Sequence, residues 1–133
     1  MIDWNEWARA FEHLDGVEDF VALFADGGVF CDPVTPWTTD VRRVAVQTEQ
    51  IFPDWNATVD SIRGGSDWAV FEWTGRGTLQ LAETPTPVTV HGATIVEVDQ
   101  RGKVTRWRDY LDTNEPMQQV NAAQGQGASP QTG

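Results

Sequence analysis

Apolar residues in the first third of the chain recur at helical spacing. A first helix is predicted over residues 3–13, where Trp4, Trp7 and Phe11 share one face. A second helix is predicted from residue 15 to the break at Asp26-Gly27-Gly28, and a third from residue 38 or 39 to about residue 52. A short strand over residues 29–32 and a proline-containing loop separate the second helix from the third.

The rest of the chain mostly alternates apolar and polar residues, which is the pattern of β-strands. Strands are predicted over residues 56–63, 67–81, 88–98 and 103–111, with a hairpin turn at 99–102. A short helix is predicted over 113–120, and residues 121–133 are predicted to be a disordered tail because they lack core-forming residues. Helices followed by a meander of strands predict a single α+β domain over residues 1–120, with a curved antiparallel sheet and three N-terminal helices enclosing an apolar pocket.

An acidic residue interrupts an apolar strand face near the end of the predicted sheet. Trp107, Asp109 and Leu111 alternate along one strand, so placing the two apolar residues inside also places Asp109 inside. A buried carboxylate is costly unless it is paired, hydrogen-bonded or protonated. Desolvation raises its pKa toward neutrality, where it can transfer protons. The alternative is a structural Asp that accepts hydrogen bonds from a loop.

The strand that precedes Asp109 carries His91, whose direction depends on the hairpin turn. If Gly102 is a left-handed residue in a three-residue loop, His91 shares the inner face with Asp109. If the loop has an even number of residues, Gly92 and Thr94 take that face and His91 points outward, because a slip of one residue reverses the faces. The spacing favours the first arrangement, so His91 is predicted to assist catalysis. The alternative is a surface or core histidine.

Further pocket candidates lie around these two residues. Asp32 lies at the predicted mouth of the pocket, where a second carboxylate would divide acid and base roles with the first. The alternative for Asp32 is a turn residue before Pro33. Aromatic residues with flat surfaces are predicted to bind the substrate, although each has an ordinary core position as its alternative: Trp37, Trp73, Phe30, Trp107 and Phe71, with Trp55 as a further candidate wall.

Charge and composition argue against several classes of protein. The chain has 20 acidic against 9 basic residues, a formal charge of −11, which argues against binding to nucleic acid or to an anionic membrane. A single cysteine and an N-terminus without signal-peptide character predict a cytoplasmic protein. No segment reaches the roughly 20 apolar residues that cross a bilayer. Neither a metal-ligand spacing nor a glycine-rich phosphate loop is present, so no metal or cofactor is expected.

Two segments resemble a known superfamily. Residues 94–112, which end in Trp-Arg-Asp-Tyr-Leu-Asp, resemble the closing hairpin of the nuclear transport factor two superfamily, especially its SnoaL-like polyketide cyclase and limonene-epoxide-hydrolase branches. Residues 24–36 are similar to the first strand and loop of its ketosteroid-isomerase relatives. The resemblance spans roughly residues 3–120. It implies a cone-shaped fold, often dimeric through the outer face of the sheet.

The resemblance also implies a catalytic role for Asp109, which matches the Asp of the Trp-Arg-Asp-Tyr motif of the epoxide hydrolases. The Arg and Asp that those enzymes carry on a central strand correspond to Trp73 and Gly75, and their Tyr and Asn correspond to Phe30 and Asp32. By resemblance, the SnoaL-like cyclases need one pocket Asp as general acid and base, sometimes with a nearby His. The pattern of the SnoaL-like cyclases suits this sequence better than the pattern of the epoxide hydrolases does.

The sequence therefore predicts a cofactor-free general acid/base enzyme, namely a cyclase, isomerase or lyase. Its substrate would be a hydrophobic polyketide- or terpenoid-like small molecule, bound in an aromatic-lined pocket where Asp109 shuttles a proton. Two alternatives remain open: a non-catalytic small-molecule binding protein, and an epoxide hydrolase with altered catalytic residues. A homodimer is expected, mostly from the resemblance.

Overall fold

The computed structural model describes residues 2–81 and 83–128, and it confirms the predicted α+β class. The elements follow one another along the chain as four helices and six strands: α1 (Trp4–Glu12), α2 (Gly16–Ala22), β1 (Phe24–Asp32), β2 (Thr35–Thr38), α3 (Val41–Ile51), β3 (Asn56–Gly64), β4 (Trp68–Leu79), β5 (Thr86–Val98), β6 (Val104–Leu111) and α4 (Asn114–Ala128).

The six strands form one curved, open sheet in the order β2-β1-β6-β5-β4-β3. Every neighbouring pair is antiparallel except β1 and β6, which run parallel. The predicted curved antiparallel sheet is confirmed apart from this one parallel pair. Strands β3 to β6 follow one another in the chain and pair as antiparallel neighbours, whereas β1 joins β6 from a distant part of the sequence.

The first strand begins earlier than the sequence suggested. Asp26-Gly27-Gly28 was expected to end the second helix, but α2 ends at Ala22 and these residues lie inside β1. Gly27 has a φ of +76°, and the register against β6 shifts between Phe24 and Val29, so the glycines form an irregularity within a strand. The expected proline-containing loop likewise contains the short strand β2.

The N-terminal helix is fixed at its start by a side-chain cap and along its length by aromatic packing. The Asp3 carboxylate accepts hydrogen bonds from the backbone N–H groups of residues 5 and 6, which satisfies two otherwise free donors. Trp7 and Phe11 then pack against Phe71 and Trp107, with ring centroids 5.3–6.1 Å apart. This aromatic cluster joins α1 to the inner face of β4 and β6.

The last helix is longer than predicted and covers the open edge of β5. Helix α4 continues to Ala128, so residues 121–128 are helical rather than disordered, and the rest of the expected tail lies outside the described residues. The first half of β5 extends beyond its pairing with β6. Gln119 occupies this edge, because its side chain accepts from the backbone N–H of Thr89 at 2.8 Å and donates to the Thr89 carbonyl at 2.7 Å.

The outer face of the sheet exposes several large side chains, including Trp68, Val70 and Tyr110. An association of two chains through this face would cover them, and the homodimer stays a prediction that sedimentation measurements would test. None of the helices in the described part of the chain is long and apolar enough to cross a membrane.

Candidate functional site

The inner side of the sheet and the helices that cover it enclose a cavity of about 400 Å³. Its walls come from α1, α2 and α3 on one side and from β1, β4, β5 and β6 on the other. Aromatic rings make up much of the lining: Phe11, Phe20, Phe30, Phe52, Trp55, Trp73 and Trp107. A volume and lining of this kind suit an apolar small molecule.

Two glycines on the inner face of the sheet make room for the indole rings. A Cβ atom at Gly92 would lie 2.2 Å from the ring of Trp73, and one at Gly75 would lie 2.1 Å from the ring of Trp55. Real Cβ atoms do not approach a ring so closely, so both rings depend on the absence of a side chain beneath them. The shape of the cavity is therefore determined by glycines as much as by the tryptophans.

Asp109 lies at the wall of this cavity and is held by hydrogen bonds to one oxygen. Its Oδ1 accepts from the hydroxyl of Thr94 at 2.5 Å and from Nε1 of Trp107 at 2.8 Å. The hydroxyl of Thr94 in turn accepts from Nε1 of Trp73 at 2.9 Å. Trp73 thereby orients Thr94, and Thr94 together with Trp107 fixes the carboxyl group. Within residues 2–81 and 83–128, no group makes a hydrogen bond to Oδ2, which leaves it available to a ligand.

The pKa of Asp109 is raised from 3.8 to about 6. Burial is the largest cause, because protein surrounds the carboxyl group and disfavours its charged form. The hydrogen bonds from Thr94 and Trp107 stabilise the carboxylate and oppose that effect, while the negative charge of Asp32 raises the pKa further. The acid and the carboxylate forms are both accessible near neutral pH, which is what proton transfer requires.

The register of the β5–β6 hairpin differs from the preferred prediction by one residue. Gly102 is left-handed as expected, with a φ of +78°, but β6 has a bulge between Val104 and Arg106. One extra residue in β6 changes every later pairing, so Asp109 faces Thr94 rather than Ala93. The alternative arrangement, with Gly92 and Thr94 on the inner face, is the observed one.

His91 consequently points outward, and its predicted place in the pocket is wrong. Its side chain is 63% exposed, and its Nδ1 lies 2.7 Å from Oε2 of Glu115 on α4. The backbone N–H of His91 donates to Oε1 of the same Glu115 at 2.6 Å. His91 thus helps to attach α4 to the edge of β5, and it does not line the cavity that holds Asp109.

Two of the predicted aromatic residues also lie outside the cavity. Trp37 lies on the short edge strand β2, is 41% exposed, and has the guanidinium of Arg106 4.4 Å from its ring centroid. It does not roof the pocket, because the segment predicted as a loop is a strand of the sheet. Phe71 is fully buried among Trp7, Phe11 and Trp107, and it supports the cavity as a core residue without lining it.

The remaining predicted residues do line the cavity: Asp32, Phe30, Trp73, Trp107 and Asp109. Asp32 also has the turn role that was its alternative, because its Oδ1 accepts from the backbone N–H of Val34 at 2.9 Å.

Phe20 and Phe52 were not predicted to line the cavity, since their helical spacing did not distinguish a cavity wall from a core position. Helical periodicity identifies the buried side of α2, but it does not show where the buried side chains leave a gap. In the part of the chain that the structure describes, no three His, Cys, Asp or Glu side chains group together as metal ligands.

A family model for the SnoaL-like domain matches residues 4–107, and the chain belongs to this family. The match includes Asp32 and stops two residues before Asp109. No curated protein matches the sequence.

Solved structures share the fold at low sequence identity. A protein from Catenulispora acidiphila with a ketosteroid isomerase-like fold, solved in complex with trimethylamine, has 20% identity and a TM-score of 0.75 over 89% of this chain and 91% of that one. IdmH, a candidate polyketide cyclase from Streptomyces antibioticus, has 20% identity and a TM-score of 0.70 over 89% and 95%. An LEH-like epoxide hydrolase from M. tuberculosis has 18% identity and a TM-score of 0.66 over 92% and 90%. At these identities the likeness establishes the fold alone.

Proposed function

We propose that this SnoaL-like domain is a cofactor-free general acid/base enzyme, a cyclase, isomerase or lyase, in which Asp109 moves a proton on a hydrophobic small molecule. One observation carries the proposal. A carboxyl group with a pKa raised to about 6 borders an aromatic cavity of about 400 Å³, and among the residues that the structure describes one of its oxygens has no hydrogen-bond donor.

The hydrogen bonds support different roles for the two oxygens of the Asp109 carboxyl group. Thr94 and Trp107 hold Oδ1, so Oδ2 would exchange the proton with a substrate bound against the indole rings. Because Oδ1 is held, Oδ2 is already oriented before the substrate binds, which lowers the entropic cost of reaching the reactive geometry. Asp32, on the same cavity, would favour the protonated form of Asp109 between turnovers through its negative charge.

A polyketide- or terpenoid-like substrate is proposed because the cavity is dominated by rings and aliphatic side chains. The candidate cyclase activity of IdmH is compatible with this class. Epoxide hydrolysis has less support, because Trp73 and Gly75 take the places of the Arg and Asp expected from the resemblance. The hydrogen-bond donors to Asp109 are instead the neutral hydroxyl of Thr94 and the indole N–H of Trp107.

The test is a panel of polyketide- and terpenoid-like compounds incubated with the protein in deuterated water, with products and deuterium incorporation followed by mass spectrometry. Asp109→Asn keeps the shape of the side chain and removes the proton-transfer group, so turnover should fall about 100- to 10,000-fold. His91→Ala, on the outer face, is the control and should keep its turnover.

Three other results would contradict the proposal. Binding of panel compounds without turnover, unchanged in Asp109→Asn, would indicate a non-catalytic binding protein. Incorporation of oxygen from labelled water into a diol would indicate an epoxide hydrolase. Turnover that survives in Asp109→Asn would show that another group transfers the proton.

A further inference from the structure

The charges around the cavity all have the same sign. Four carboxyl-bearing residues contribute to its lining: Glu12, Asp32, Glu49 and Asp109. All nine Lys and Arg residues of the chain lie in its described part, and none of them lines the cavity; neither does either histidine. A ligand that enters this space therefore meets negative charge and aromatic rings, and no positive side chain.

Several basic residues are engaged with partners outside the cavity. Arg42 on α3 pairs with Glu18 on α2, Arg106 lies against the outer ring of Trp37, and Nζ of Lys103 donates to the carbonyl of Ala22 at 2.8 Å. None of the four cavity carboxyl groups has an ion-pair partner within the described residues. The negative charge of the cavity is not neutralised by the protein itself.

Two of these carboxyl groups are close enough to influence each other. The charge of Asp32 is one of the causes that raise the pKa of Asp109, although burial is the larger one. Like charges that share a partly enclosed space destabilise each other, and a positive ligand group between them would relieve that repulsion. A carboxylate or phosphate ligand would increase it, without any cationic side chain to bind.

The aromatic walls favour the same kind of ligand. The faces of indole and phenyl rings carry negative potential and attract ammonium groups, most strongly when water is excluded. The rings of Trp55 and Trp73 lie 6.0 Å apart, centroid to centroid, in a near-perpendicular arrangement that forms one corner of the cavity. The formal charge of −11 adds a long-range attraction for cations.

We infer that the cavity binds a hydrophobic cation: a small molecule with a protonated or quaternary nitrogen, held between the aromatic walls and the carboxyl groups of Asp32 and Asp109. The inference rests on the proposed function, because it takes the same cavity as the substrate site. It adds that the ligand is positively charged, and it argues against acidic or phosphorylated substrates.

A matched pair of ligands tests the charge directly. Benzyltrimethylammonium and its neutral isostere neopentylbenzene have nearly the same shape. They differ because a quaternary carbon in neopentylbenzene takes the place of the positively charged nitrogen. Binding is measured at pH 7.5 through the indole N–H resonances of the seven tryptophans, with phenylmethanesulfonate as the anionic probe. The cation should bind about ten-fold more tightly than the isostere, and the anion should not bind.

Two variants separate a local effect from a general charge effect. Asp32→Asn removes one cavity charge and keeps the Asp109 side chain, and it should weaken binding of the cation about three- to ten-fold while leaving the affinity for the isostere unchanged. Glu97→Gln removes one negative charge from the outer face of β5, where the side chain is exposed and pairs with Arg106. This control should leave the affinities for both ligands unchanged.

The inference is overturned if the isostere binds as tightly as the cation, if neither ligand binds, or if Glu97→Gln weakens the cation as much as Asp32→Asn does. None of these results decides the acid/base proposal, which is judged from turnover in Asp109→Asn. Conversely, selective binding of the cation without turnover of any compound would support the ligand class and leave the proposed reaction without support.

Discussion

Two carboxyl groups that contact opposite faces of the β5–β6 hairpin have pKa values shifted in opposite directions. On the inner face, burial raises the pKa of Asp109 to about 6. On the outer face, His91 meets Glu115 of α4, which accepts hydrogen bonds from the backbone N–H and the ring of His91, and these bonds lower the pKa of Glu115. Desolvation dominates at Asp109 and hydrogen-bond donors dominate at Glu115. The acidity of each carboxyl group therefore depends on which face of the hairpin it contacts.

The largest expected effect concerns the stability cost of the inner carboxylate. Because the folded pKa of Asp109, about 6, lies above the unfolded value of 3.8, the folded state holds the proton more tightly. The contribution of Asp109 to the free energy of unfolding should therefore decrease as the pH rises from 4 to about 6.5, by about 3 kcal/mol at most. Asp109→Asn removes this decrease, so the variant should gain stability relative to wild type across that range.

Urea denaturation of both proteins at several pH values measures this difference. Asp32→Asn provides a comparison, since it should lessen the decrease without removing it. A constant difference between wild type and Asp109→Asn from pH 4 to pH 7 would show that Asp109 titrates as an ordinary surface carboxyl group. The inner and outer faces would then not differ as described.

A smaller effect is expected at Thr94, whose hydroxyl connects Trp73 to Asp109. Thr94→Val keeps the shape but leaves Nε1 of Trp73 without its acceptor in a buried position, at a cost of about 2 kcal/mol. The pKa of Asp109 should rise further, because one hydrogen bond to its charged form is lost. Carbonyl NMR titration and denaturation measure the two consequences.

The matched control is Thr105→Val on the exposed side of the same hairpin, where the hydroxyl donates to the carbonyl of Glu97 at 3.2 Å. It should change stability by less than about 0.5 kcal/mol. An Asp109 pKa that stays the same in Thr94→Val would mean that Trp107 alone fixes the carboxyl group.

The smallest effect is expected at His91. His91→Ala removes an exposed ring, and the change in the free energy of unfolding should stay within about 0.5 kcal/mol. Glu115 should retain most of its lowered pKa, because the largest cause is the backbone N–H of residue 91, which the substitution leaves in place. A shift of the Asp109 titration in this variant, followed by NMR, would contradict the separation of the two faces.

Most of the fold could be predicted from the sequence because its elements are long and periodic. The predicted strand over residues 56–63 agrees with β3, which ends one residue later at Gly64, and the alternation around Trp107 correctly placed Asp109 inside. The glycines near residue 27 were misread because Gly usually ends a helix, whereas here it lies within an irregular strand. The length of α4 was underestimated because its composition lacks apolar periodicity.

The candidate site was predicted only in part, and the error on β5 comes from a single bulge. The turn itself was read correctly, with Gly102 left-handed and Asp99 opposite Lys103. No sequence rule available for one chain marks Thr105 as an extra residue, so the side of β5 that faces the cavity could not be decided. The sequence therefore favours His91 on the inner face and offers Thr94 only in the alternative register.

The bulge in β6 also determines the charge of the cavity. In the residues beyond it, the inner positions hold Trp107, Asp109 and Leu111, while Arg106, Arg108 and Tyr110 face outward. If β6 instead paired regularly through Thr105, every later residue would move by one position, which would bring the arginines to the cavity and carry the acid to the surface. The same sequence would then line its cavity with basic instead of acidic side chains. The charge that a ligand meets is therefore set by the backbone register at residue 105 as well as by the side chains themselves.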